Sequence, residues 1–421
     1  MKKYLVALLA VFMLVGCSNK GSGSSDDTII DKVPEGTEIT FWHAMNGGQE
    51  KSLTELTEQF MAENKNIKVV LQNQTKYPDL QAKINATVTS PKDLPTMTQG
   101  YPNWFWSISE ENMLVDLQPY MDHKTIGIAD KDDIVKVFLD GAKIHDKQYG
   151  MPFNKSTEVL YYNEGMLKEY GVEVPKTMEE LAAASKTIYE KSNGEVVGAG
   201  FDSLNNYYVI GMKNEGVEFN KDVDITSPQS EKVAQYYHDG IKEGYFQIAN
   251  KGEYLSAVFG NGKIAMNIGS MAGESHVKKA IEGKNIEYGV APRPSVKNLQ
   301  QGTDLYMFAE ATPEQRSAAF QYMKFLVSKE SQMKFALDTG YMPARTSVFN
   351  DDKYKNTTDS KIPAIIGNTL DNLFALPVVE NSDPAYQSSR NIMEKILSDK
   401  NADVKKVLEG SKAEFEATWK Q

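Results

Sequence analysis

The residues best equipped to hold a small molecule gather in one short segment. Tyr101-Pro102-Asn103-Trp104-Phe105-Trp106 places four aromatic rings in six residues, with an amide among them. Such faces bind the apolar sides of sugars and polyols, or a cationic head group through the ring quadrupole. Tyr161-Tyr162-Asn163, Tyr207-Tyr208 and Tyr236-Tyr237 add aromatics that are expected to fill a core. Arg390 is one of only four arginines among 46 basic residues. Its planar fork suits two phosphate oxygens, although Glu394, four residues on, would also allow an ordinary surface ion pair along a helix.

Signatures of catalysis are missing by comparison. The five histidines (His43, His123, His145, His238 and His276) never pair at zinc-ligand spacing. There is no Gly-x-Ser-x-Gly elbow. Gly260-x-Gly262-x-x-Ala265 superficially fits a dinucleotide fingerprint, but it precedes the strand-like Ile264-Ala265-Met266-Asn267-Ile268 and reads as a turn. The expectation is a binding protein that is not an enzyme and uses no cofactor and no metal. A surface-anchored hydrolase of glycans or phosphodiesters is the alternative from another class. The formal net charge of −11 argues against a nucleic-acid surface. A single cysteine excludes an intrachain disulfide.

That cysteine has a location with meaning. Lys2 and Lys3 precede an apolar run over residues 4–15, too short at about 1.5 Å per residue to cross the ~30 Å hydrocarbon core. The pattern is that of a signal peptide covering 1–16. Leu14-Val15-Gly16-Cys17 resembles the bacterial lipobox, which implies a lipid on Cys17 and cleavage just before it. Loss of Lys2 and Lys3 takes the formal charge from −11 to −13. Residues 17–35, with Gly21-Ser22-Gly23-Ser24-Ser25, read as a flexible tether holding the folded part off the outer face of the membrane.

Behind these residues stands an α/β grammar. Glu38-Ile39-Thr40-Phe41-Trp42 favours a strand. Leu53, Leu56 and Phe60 share one helical face behind Ser52-Leu53-Thr54-Glu55, which has the form of a capping box. Asn66-Ile67-Lys68-Val69-Val70-Leu71 reads as the next strand, completing a βαβ unit. Thr177-Met178-Glu179-Glu180, Ser227-Pro228 and Thr312-Pro313 announce further helices. The stretch from Asn401 reads as a surface helix. A body of this length exceeds a single core, and no Pro- or Ser-rich linker divides it. The chain is therefore expected to cross between two discontinuous lobes, 36–152 plus about 303–343 and 153–302 plus about 344–421. Gly150-Met151-Pro152, Pro292-Arg293-Pro294 and Gly340-Tyr341-Met342-Pro343 suit the crossings.

Taken in order, Phe41-Trp42-His43-Ala44-Met45, Met151-Pro152-Phe153-Asn154 through Val159-Leu160-Tyr161-Tyr162-Asn163, and Thr339-Gly340-Tyr341-Met342-Pro343 resemble the extracellular solute-binding proteins of ABC importers. The resemblance is to the branch that binds carbohydrates and glycerol-3-phosphate. It implies a two-lobed periplasmic-binding-protein-like α/β fold whose hinge closes the lobes on a solute, with delivery to membrane permease subunits. It also fits a Gram-positive, lipid-tethered monomer.

The branch's pocket maps onto Tyr77, Ser156, Ser270, Gly302, Tyr341 and Arg390. Two departures stand out: Pro102 replaces a carboxylate, and Met178 stands where tryptophan is common. Both imply a roomier cleft, and Asn103 and Trp104 are candidates for the replacement contacts. Trp42, Tyr101, Asn103, Trp104 and Met178 complete the candidate set. The expected cargo is glycerol-3-phosphate or a glycerophosphodiester, with a neutral sugar or oligosaccharide as the alternative.

Overall fold

The computed structural model describes residues 29–249, 254–367 and 369–420. The signal peptide, Cys17 and most of the tether lie outside the described residues. Two five-stranded mixed sheets organise the rest. β1 (Thr37–His43), β2 (Ile67–Asn73), β3 (Met97–Gly100) and β4 (Met151–Ser156) build the first, together with β11 (Gln301–Met307), in the order β2-β1-β3-β11-β4. β5 (Glu158–Asn163), β6 (Val197–Phe201), β7 (Phe246–Ile248), β8 (Ile264–Ser270) and β9 (Tyr288–Pro292) build the second, in the order β7-β6-β8-β5-β9. β10 (Asn298–Leu299) pairs with β12 (Leu373–Phe374) in a short ribbon beside them.

β1 and β2 pair in parallel from Thr37–Ile67 to His43–Asn73, as the two strands of a βαβ unit must. The helix between them, Gly48–Glu63, buries Leu53, Leu56 and Phe60 in the core of the first sheet. It begins five residues earlier than the capping-box reading expects. Gly47, at φ +56°, turns the chain into the helix. Ser52 then lies inside it, and its hydroxyl donates to Asp338 at 2.8 Å. The other helix starts form as read. Thr177, Ser227 and Thr312 each accept from the backbone N–H three residues on.

The chain changes sheet where strands meet end to end. Thr157 alone separates β4 from β5, and its hydroxyl donates to the Leu299 carbonyl at 2.9 Å. The return comes between β10 and β11. A third joint lies at Gly340, a left-handed helix cap (φ +79°) that ends Lys329–Thr339, after which the Met342 N–H donates to the Lys155 carbonyl. At this joint Lys155 and Asp304 form an ion pair of 2.9 Å, with side chains 1% and 0% exposed. The C-terminal helices Ser382–Leu397 and Val404–Thr418 pack on each other and on the Leu204–Asn214 and Pro228–Glu243 helices of the second lobe, burying Ile392, Met393, Ile396, Leu408 and Phe415. The last helix thus has a core face as well as a polar one.

Candidate functional site

A polar knot forms where β3, β4 and β11 meet the Tyr77–Thr87 helix. Pro78 opens this helix, so Tyr77 projects from its first turn. The Tyr77 hydroxyl receives Asn154 Nδ2 at 3.1 Å and Gln99 Nε2 at 3.3 Å, and lies 3.3 Å from the Tyr341 hydroxyl. Thr303 closes the ring, donating to Asn154 Oδ1 at 2.6 Å and accepting from Gln99 at 3.1 Å. Gly340 aims Tyr341 into this cluster. Burial holds the Tyr341 and Tyr101 phenols well above their usual range, so both stay neutral hydrogen-bonding groups.

The aromatic loop joins the knot. Tyr101 lies against Tyr77 at 5.4 Å and against Trp104 at 5.2 Å, both edge to face. The Gly302 backbone reaches the Tyr101 hydroxyl. Gly302 has φ +83°, and a Cβ there would sit 2.0 Å from the Asn154 carbonyl oxygen, so glycine is demanded by packing alone. Phe105 turns inward and stacks on Tyr306. Of the tyrosine pairs expected to fill a core, Tyr161, Tyr207, Tyr208 and Tyr237 are buried in the second lobe, while Tyr162 and Tyr236 are half-buried against it.

From the second lobe come Asp202, just after β6, Tyr254 from a loop, and Tyr386 and Arg390 from the Ser382–Leu397 helix, none but Arg390 singled out by sequence. Tyr254 and Tyr386 are near enough to Tyr101 to help raise its phenol, and Arg390 is near enough to oppose the rise of both of theirs. Tyr254 is 64% exposed, yet the surrounding protein raises its phenol. Arg390 is half-buried and has no hydrogen bond or ion pair to any described residue. The alternative Arg390–Glu394 surface pair is not formed. Burial also raises the Asp202 carboxyl to about 7, against the opposing hydrogen bonds of the Leu255 N–H and Asn267.

The other expected residues sit apart from this group. Ser156 and Ser270 join the ends of β4 and β8, with Ser270 donating to Ser156 at 3.1 Å. Trp42 is buried beneath the knot, its indole N–H on Gln72 at 2.6 Å and Lys83 over its ring. Met178 opens the Met178–Lys191 helix and packs on the second core, its carbonyl taken by the Tyr236 hydroxyl at 2.6 Å. Asn103 binds Asp383 rather than lying open. A cavity of ≈ 290 Å³ runs beside Trp104, Trp106, Asn103 and Asp383. A larger one, ≈ 450 Å³, between Trp106, His145 and Leu376, touches the aromatic segment only at Trp106.

Comparison with known proteins adds a family context. Residues 55–363 match the model of the bacterial extracellular solute-binding proteins. The chain is 22% identical over 393 residues to the maltotriose-binding protein of Pyrococcus abyssi, covering 88% of this chain and 80% of that one. It is 22% identical over 341 residues to the sn-glycerol-3-phosphate-binding periplasmic protein UgpB of Brucella melitensis, covering 75% and 77%. Its fold superposes, at a TM-score of 0.80 and 19% identity, on UgpB from Mycobacterium tuberculosis in complex with glycerophosphocholine, covering 91% and 98%.

Proposed function

We propose, from the premise that this chain belongs to the bacterial extracellular solute-binding protein family, that it captures a glycerol phosphate ester between its two lobes. It is the substrate-binding protein of an ABC importer of sugars or glycerophosphates, working outside the cytoplasmic membrane and handing its cargo to permease subunits. Its family and fold are those of solute-binding proteins and not of enzymes. Anchoring through a lipid on Cys17, to the outer face of a Gram-positive membrane, and a monomeric state complete the reading.

One observation carries the choice of an anionic cargo. Arg390 is a half-buried guanidinium without a carboxylate partner among the described residues, set beside the Tyr254 and Tyr386 phenols. An unpaired buried cation is costly, and a phosphate diester or monoester would satisfy it with two charge-assisted hydrogen bonds. Tyr77, Tyr101 and Tyr341 would serve the glycerol hydroxyls and the remaining phosphate oxygens. Likeness to glycerol-3-phosphate-binding relatives supports the same cargo.

A neutral oligosaccharide is the second reading, favoured by the cavity of indoles and amides beside Trp104 and by the maltotriose-binding relative. Calorimetry against glycerol-3-phosphate, glycerophosphocholine and maltotriose separates them. We expect the phosphate esters to bind, and Arg390→Ala to weaken them at least about a hundredfold while the melting temperature without solute stays unchanged. Binding of maltotriose alone would overturn the phosphate reading. Recovery of cleaved solute would overturn the binding-protein reading altogether.

A further inference from the structure

The Ser382–Leu397 helix belongs to the second sheet's core, through Ala385, Ile392, Met393 and Ile396. Its first turn nevertheless reaches the first lobe. Asp383 Oδ1 accepts from Asn103 Nδ2 at 3.0 Å, and Oδ2 accepts from Gln81 Nε2 at 2.7 Å. Gln81 lies on the Tyr77–Thr87 helix and Asn103 sits between Tyr101 and Trp104 in the aromatic loop. Both oxygens of one second-lobe carboxylate are thus taken by side-chain amides of the first. Asp383, Tyr386 and Arg390 follow one another at i, i+3 and i+7, so one helix face bears all three.

We propose that Asp383 is a clasp between the lobes, a positioning residue that holds the aromatic loop against the helix carrying Arg390. Its hydrogen bonds are charge-assisted, hence stronger than amide–amide ones, and they exist only when the lobes are together. They therefore act on the equilibrium between open and closed forms, not on the stability of either lobe. A solute that has entered must wait for the clasp to break before it leaves. The solute-free protein is drawn toward closed conformers by the same bonds.

This inference rests on the reading of the cleft as a solute site, and two measurements on the full chain keep the two apart. The first is stopped-flow fluorescence with glycerol-3-phosphate. Asp383→Ala should speed dissociation about tenfold and leave association within about twofold, with the solute-free melting temperature unchanged. Asp383→Asn should lose less, because flipped Gln81 and Asn103 amides can donate to, or accept from, the new amide. Gln81→Ala combined with Asp383→Ala should be no worse than Asp383→Ala alone.

The second measurement is small-angle scattering of the solute-free protein, where Asp383→Ala should increase the radius of gyration. Unchanged dissociation in Asp383→Ala overturns the clasp, as does a lowered melting temperature with altered association. If glycerol-3-phosphate does not bind, the proposed cargo fails and scattering alone decides the clasp. Identical profiles for Asp383→Ala and the parent would overturn it.

Discussion

Asp202 shows how one residue can tie the cleft to pH. Burial raises its carboxyl to about 7, while in the unfolded chain it titrates near the ordinary value of about 3.9. The folded state therefore holds the proton more tightly. The resulting stabilisation is complete below about pH 4 and is lost as pH rises through about 7. Asp202→Asn cannot ionise and retains an acceptor for the Leu255 N–H, which bonds Asp202 at 2.8 Å. The melting temperature of the variant relative to the parent should climb from pH 4 to pH 8; a constant offset would show that Asp202 is not the titrating group. Sequence patterns singled out Arg390 and the 101–106 loop but not Asp202, Tyr254, Asp383 or Tyr386. Those four gain meaning only when distant segments converge.

At the scale of elements, local signals served where local chemistry decides. The N-caps at Thr177, Ser227 and Thr312 depend on a side chain and a backbone N–H three residues apart, so sequence suffices. Ser52 misled because the packed Lys329–Thr339 helix offers its hydroxyl Asp338, a partner no local pattern contains. Resemblance makes Gly302 a ligand contact, and the packing gives it a reason of its own. β11 presses that residue onto the Asn154 carbonyl of β4 in a left-handed conformation. Gly302→Ala should therefore lower unfolding stability by about 2–4 kcal/mol. Urea denaturation would show this as a lower midpoint at unchanged slope. A loss of solute affinity at full stability would instead favour a contact role with slack in the strands.

For the whole molecule, alternating strands and helices announced an α/β protein, and its length announced two lobes. The strand orders were beyond reach, because β11 returns to lie between β3 and β4 after the chain has built the entire second sheet. That return brings the Asp304 carboxylate to Lys155 at the joint between the sheets, where neither side chain meets water. Asp304 Oδ2 has no partner there, and burial raises its carboxyl even beside the lysine. Attraction inside the protein offsets the cost of removing both charges from water only while both are present. Lys155→Met would strand the carboxylate at the place where the lobes are stitched together. It should cost about 3–5 kcal/mol in denaturant unfolding, whereas Lys155→Met with Asp304→Leu should restore most of that stability, since a matched apolar pair carries no such cost. If the double variant stays as unstable as the single one, the pair is needed for the geometry of the joint and not merely for charge balance. Solute affinity in the restored double variant then tests whether lobe closure requires an ionic joint or only a filled one.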